Sequence, residues 1–224
     1  MKTPGPRTLV KVGLFIALVV VVGTIFEQQS PNFASLAYPP IPESYYPIIS
    51  DAISYCQMPT RMRSLIASVI WKESTFHASS ISGGGAVGLM QVLRGTAKGV
   101  ADEHQIAGLT ASTLTDPKIN IYIGTCYLKD KYDEFGNGND STYDDPKITA
   151  AVLMSYNAGS GAGQAYLAGN MPESSYSRRI REAMPVYALD IAHHDQAVAA
   201  GIAANPPDVR TFIWKVILGN TTAS

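Results

Sequence analysis

The residue that draws attention first is Glu73. The apolar positions Met62, Leu65, Ile66, Val69 and Ile70 recur three and four apart, and at 100° per residue the next member of that stripe falls on position 73. A carboxyl on a core-facing stripe costs several kcal/mol unless it is hydrogen-bonded, protonated or opened to a cleft. Burial raises a carboxyl pKa, and an acid poised nearer neutrality can give a proton to a leaving oxygen and later take one back. The alternative is a helix that ends near Lys72, letting Glu73 swing into water. Periodicity alone leaves both open.

Other residues with chemical capacity have blander readings. Asp102 and Glu103 are the acids between Lys72 and Thr110, and nothing turns them toward Glu73, so they read as solvated. His193-His194-Asp195 has the right residue types for a metal. Adjacent helical side chains point about 100° apart, however, and no second ligand cluster accompanies them, so no metal is expected. Asn137, Asn139, Asp140 and Asp144 lack an EF-hand pattern and read as a polar turn rather than a calcium loop. No cofactor motif is present in the sequence. The net charge of −1, with no basic cluster outside the extreme N-terminus, argues against nucleic acid. Cys56 and Cys126 suit an oxidising compartment. Bridged, they would close a loop of about 70 residues worth roughly 4 kcal/mol; two separate buried thiols are the other reading.

The elements that must position these residues are helical, and no convincing run of alternating strand residues occurs. The spacing predicts a helix from about Pro59 to Ser74. The glycine-rich loop Ser82-Gly83-Gly84-Gly85 follows, then a short helix near Thr96 to Asp102. Asp116-Pro117 and Asp145-Pro146 each place a capping aspartate before a first-turn proline and open two further helices. Their stripes are Ile119, Tyr122, Ile123, Cys126 and Tyr127, and Ile148, Ala151, Val152, Ser155 and Tyr156. Phe135 to Asp145 reads as a loop, and Gly159 as a helix stop. A last helix carries Ile180, Ala183, Met184, Tyr187 and Ile191, with Pro185 expected to kink or split it. Tyr45-Tyr46 read as packing on the domain, with sugar stacking as the alternative.

The flanks differ in character. Lys2, Arg7 and Lys11 precede an apolar run from Val12 to Phe26, and no further Lys or Arg occurs before Arg61. That asymmetry predicts a signal or membrane-anchor segment over 1–27, with an uncleaved anchor favoured and all that follows outside the cytoplasm. Ser35-Leu36-Ala37 is the alternative cleavage pattern. Residues 28–47, with Pro31, Pro39, Pro40, Pro42 and Pro47, read as an extended spacer. Residues 193–224 read as a tail, with a short amphipathic helix at Val209, Phe212, Ile213, Val216 and Ile217 after the Pro206-Pro207 break.

Four motifs, in order, resemble those of the soluble lytic transglycosylases. They are Glu73-Ser74; Gly85-Ala86-Val87-Gly88-Leu89-Met90-Gln91; Leu114 with Asp116-Pro117, Asn120-Ile121, Gly124 and Tyr127-Leu128; and Ser155-Tyr156-Asn157-Ala158-Gly159. The resemblance covers about residues 48 to 190. It implies a mainly α, lysozyme-like helical domain with a cleft over 48–192, preceded by the N-terminal apolar helix. It also implies that Glu73 is the catalytic acid and base. Ser74, Ser82, Met90, Gln91, Tyr156, Asn157 and Tyr176 are expected around the substrate, with the Tyr176 hydroxyl reaching the catalytic carboxyl. Two departures stand out: Leu93 and Arg94 replace the family's usual methionine and proline, and Glu173 lies three rather than four residues before Tyr176.

The chemistry so implied uses one carboxyl. The bond between N-acetylmuramic acid and N-acetylglucosamine in peptidoglycan would break without water, leaving a 1,6-anhydro end. A two-carboxylate hydrolase of goose-lysozyme type and an inactive wall-binding component of an envelope assembly are the alternatives. The expected partners are peptidoglycan glycan strands, the membrane through the N-terminal segment, and an envelope or secretion machinery. The expected location is the cell envelope.

Overall fold

The computed structural model describes residues 38–201, apart from 111, 137 and 138. The expected N-terminal anchor, the first part of the spacer and the amphipathic helix after Pro206-Pro207 lie outside the described residues. Among the described residues no helix is long and apolar enough to cross a membrane. The body is mainly α, with seven helices described: α1 (Tyr45–Tyr55), α2 (Arg63–Ser74), α3 (Arg94–Glu103), α4 (Pro117–Gly136), α5 (Pro146–Ala158), α6 (Ser160–Leu167) and α7 (Ser175–Ala199). Short 3-10 turns precede α2, α4 and α5.

Helix α2 is the centre of the body. Leu65, Ile66, Ala67, Ser68, Val69 and Ile70 are all fully buried. The stripe read from the sequence is therefore one face of a helix covered on nearly every side. Small and hydroxyl residues on the other faces allow this. Ser68 keeps its hydroxyl satisfied by donating to the Ser64 carbonyl at 2.7 Å, which costs little in a buried helix. Ala67 and Ser68 leave room for neighbouring helices, of which α7 packs on α2 most extensively.

The capping aspartates behave as their chemistry dictates. Asp145 accepts from the backbone N–H groups of Lys147 and Ile148 at 2.7 and 3.3 Å, and Asp116 from that of Ile119 at 3.1 Å. Gly159 closes α5 with φ 83°, and the chain then turns at once into α6, which the sequence pattern does not announce. The described structure also contains two strands, β1 (Ala86–Val87) and β2 (Val92–Leu93), paired antiparallel in the register Ala86 to Leu93 and Val87 to Val92. At two residues each they are too short for alternation to register. Cys56 and Cys126 are bridged, tying the end of α1 to the middle of α4.

Both boundaries of the folded body lie further out than the sequence reading places them. The expected spacer up to Pro47 is in part domain. Tyr38 packs edge-on against Trp71 at 4.6 Å between ring centres. The Tyr187 hydroxyl donates to the Pro39 carbonyl at 3.2 Å, and the Ile41 N–H donates to the buried Asp190 carboxylate at 3.0 Å. Trp71, on the face of α2 away from the stripe, is thus covered by this strap. At the other end, α7 continues through the expected boundary at 192 to Ala199. His194 stacks on Tyr46 at 3.8 Å and bonds Glu43 at 2.9 Å, while Asp195 pairs with Arg63 at 2.6 Å. Pro185 does not split α7; it lies on the exposed side, where the carbonyl it leaves unpaired can be hydrated.

Candidate active site

Glu73 sits in the last turn of α2, and the backbone after it fixes the stop. Thr75 and Phe76 both take positive φ, 51° and 63°, a conformation that costs a non-glycine residue about 1 kcal/mol or more. Phe76 is held there by burial, with its ring against Tyr187 at 5.8 Å. The result is an abrupt end that leaves Glu73 half-buried instead of swinging into water.

The Tyr176 hydroxyl, from the start of α7, donates to the Glu73 carboxylate. Glu73 has its pKa raised, chiefly by burial, with the Tyr176 hydrogen bond and the Lys72 charge pulling the other way. Its place at the negative end of the α2 dipole works in the same direction as burial. Tyr176 and Lys72 thus both act on the carboxyl. Tyr176 and Tyr156 have their own pKa values raised well above the usual range, first by burial and next by the Glu73 charge, so both phenols remain hydrogen-bond donors. The shortened spacing of Glu173 to Tyr176 does not displace the phenol. Glu173 instead bonds the Ser177 hydroxyl at 2.8 Å and Arg181 at 2.9 Å, bracing the first turns of α7.

The loop from Ser80 to Gln91 forms a wall beside this carboxyl. Ser74 donates to the Leu89 carbonyl at 2.8 Å as well as to Ile70 at 3.1 Å, which joins the end of α2 to the loop. Tyr156, half-buried on α5, donates to the Met90 carbonyl at 2.7 Å, and its ring lies 5.3 Å from that of Tyr127. Gln91 has φ 47° and donates to the Ser80 and Gly88 carbonyls at 3.1 and 2.9 Å. Ser82 is exposed and accepts from the Ala86 N–H at 3.0 Å. Asn157 is exposed at the end of α5.

Two of the residues expected around the substrate have buried side chains. Met90 is fully buried; its side chain fills a space that Gly124 leaves open, since a Cβ at Gly124 would come within 2.4 Å of the Met90 sulfur. Ser74 is also buried, with its hydroxyl committed to two carbonyls. Both side chains are turned into the body behind the wall.

Asn120 is the residue whose role sequence reasoning missed. Fully buried in α4, it accepts from the Met90 N–H at 2.8 Å and donates to the Val87 and Leu114 carbonyls at 2.9 Å each. Gly88, at φ 82°, must lack a Cβ because one would lie 2.3 Å from the Asn120 amide nitrogen. An asparagine within an otherwise apolar stretch between Ile119 and Ile121 was the available signal.

The other candidates have partners of their own. Asp102 pairs with Lys98 at 2.5 Å. Asp140 and Asp144 flank the Arg61 guanidinium at 3.1 and 2.8 Å, and Asn137 lies outside the described residues. A separate cavity of about 580 Å³, lined by Ile53, Met58, Lys129 and Tyr143 among others, shares no residue with the Glu73 group.

Known proteins resemble the chain over this same region. The Transglycosylase SLT domain model matches residues 52–177. The soluble lytic murein transglycosylase of Escherichia coli K12 is 34% identical over 106 residues, 47% of this chain and 15% of that protein. The membrane-bound lytic murein transglycosylase C of Serratia proteamaculans is 35% identical over 103 residues, 44% of this chain and 27% of that protein. The chain therefore spans about a quarter or less of these relatives. The structure of an inactive mutant of lytic transglycosylase Slt from Pseudomonas aeruginosa superposes with a TM-score of 0.51 at 20% identity, covering 86% of this chain and 30% of that one, and so shares the fold. With the family model covering more than half of its length and the motif residues gathered around one half-buried carboxyl, the chain belongs to the Transglycosylase SLT domain family.

Proposed function

We propose that this domain is a lytic transglycosylase that cuts the β-1,4 bond between N-acetylmuramic acid and N-acetylglucosamine in peptidoglycan. Glu73 in its protonated form gives its proton to the glycosidic oxygen as the bond from that oxygen to the muramyl C1 breaks. The muramyl acetamido oxygen stabilises the cationic carbon. The Glu73 carboxylate then takes the proton of the sugar's own 6-hydroxyl as that oxygen bonds to C1. The 1,6-anhydro ring closes and no water is consumed. Ser82, Gln91 and Asn157 contact sugar, Tyr156 forms the opposite wall, and Tyr176 holds the carboxyl.

The observation that carries this reading is the electrostatic company of Glu73. Its carboxyl is half-buried at the end of α2, has its pKa raised by burial, is held by the Tyr176 phenol and is accompanied by Lys72. The names of the relatives, lytic murein transglycosylases, agree. We place the domain in the cell envelope, addressed there by the apolar run from Val12 to Phe26 acting as an anchor, where it would clear wall for turnover or for an envelope machine.

Digestion of purified peptidoglycan, with products read by mass spectrometry, tests the proposal. Anhydro-muropeptides are expected, and Glu73→Gln should abolish their release while leaving the fold intact. Products heavier by one water would replace this mechanism with a hydrolase. No release at all would leave a wall-binding protein.

A further inference from the structure

The residue before the catalytic glutamate is placed to act on it, and this inference rests on the function just proposed. Lys72 and Glu73 leave α2 on adjacent positions, yet both engage the same residue of α7. The Tyr176 hydroxyl donates to Glu73, and the Lys72 ammonium lies 5.5 Å from the centre of the Tyr176 ring. That is cation–π range. The phenol is thus held at its oxygen by an anion and over its ring by a cation. A cation over a phenol draws density from the ring and makes the hydroxyl a better donor. Its charge also favours the ionised form of the neighbouring carboxyl.

A single-carboxyl mechanism sets conflicting demands. Glu73 must hold its proton to start the reaction and must be a carboxylate to finish it. Burial and the helix end supply the first condition. Left unopposed they would leave a carboxyl that ionises reluctantly. We propose that Lys72 is a positioning residue that supplies the second: seated over the ring of the phenol that bonds Glu73, it strengthens that hydrogen bond and favours the carboxylate form needed for ring closure. Among the described residues, the titratable groups coupled to Glu73 include Lys72 from α2, Tyr176 from α7 and Tyr156 from α5; the phenols stay neutral.

The sign follows directly. Removing the Lys72 charge destabilises the Glu73 carboxylate, so the protonated form persists to higher pH. The alkaline limb of the kcat profile, which reports the acid in the bound complex, should therefore move up. One charge acting across the protein surface should shift it by roughly 0.5–1 pH unit. The experiment measures the formation of anhydro-muropeptides from a soluble glycan fragment between pH 4 and 9 for the wild type, Lys72→Met and Lys72→Arg. Expected are an upward shift of the limb in Lys72→Met with KM little changed, and a return to the wild-type position in Lys72→Arg, which keeps both charge and ring contact. An unmoved limb in Lys72→Met would overturn the inference. So would a rise in KM with the limb fixed, which would make Lys72 a substrate contact. If Lys72→Met fails to fold, a Lys72→Arg limb displaced from the wild-type position overturns it alone. A wild-type protein that forms no anhydro product refutes the proposed function instead, so the two failures are distinguishable.

Discussion

Replacing Asn120 by alanine should loosen the wall of the site from a position that no substrate reaches. The side chain makes three hydrogen bonds to backbone groups of Met90, Val87 and Leu114, and it is fully buried, so water does not readily take its place. A made bond contributes about 1 kcal/mol net, and a buried group left without a partner costs about 1–3 kcal/mol. Three such groups, partly relaxed, give about 3–5 kcal/mol. That is a large share of the roughly 5–15 kcal/mol that holds a domain together. With a urea slope of about 2 kcal/mol per molar, the unfolding midpoint should fall by about 1.5–2.5 M. Peptidoglycan cleavage should fall at least about tenfold even where the variant is folded, since misplacing positioning groups by about 1 Å can cost more than that. Asn120→Asp is the sharper control. It keeps an acceptor for the Met90 N–H but sets a carboxylate oxygen against two carbonyls, and should be no more stable than the alanine variant. A midpoint shift under about 0.3 M, with activity retained, would refute the view that Asn120 holds the loop.

Three further outcomes are expected. Tyr176→Phe removes the one phenol that donates to Glu73 and should lower kcat by about 10–100-fold with little change in KM, read by product release. Reducing the Cys56–Cys126 bridge, or replacing both cysteines by serine, should lower stability by about 4 kcal/mol in the chain-entropy model, measured by urea unfolding with and without reductant. Glu73 has its folded pKa raised, so its contribution to stability is fully present below the unfolded pKa and is lost as pH rises through the folded one. Glu73→Gln should therefore raise the Tm relative to wild type, and by more at pH 8 than at pH 4; a Tm difference independent of pH would contradict the burial of the carboxyl.

Much of the site was legible because its clues are local. Glu73 stands out against Leu65, Ile66, Val69 and Ile70, whose spacing is set by the helix repeat, and the aspartates at 116 and 145 cap helices through bonds that span three residues or fewer. The four motifs mark the segments that meet, which is why Tyr156, Gln91 and Tyr176 were in view from the start. The burial of Ser74 and Met90 was not legible for a physical reason: a motif says that a residue type matters, and cannot say whether its side chain faces the cleft or the core behind it. The spacer was misread because prolines predict extended chain, and extended chain packs as readily as it floats once Trp71 and Asp190 offer it partners.

The sequence by itself determined the helical class, the two helix starts capped by Asp116 and Asp145, the stop at Gly159, and the presence of one carboxyl where an apolar side chain belonged. These follow from interactions within a turn or two of helix. Only the tertiary structure decided that Cys56 meets Cys126, that Tyr38 to Glu43 belong to the body, that a hairpin of two-residue strands flanks the site, and that Asn120 and Gly124 shape its wall. Each of those depends on contacts between segments far apart in the chain, and their geometry exists only once the helices have packed.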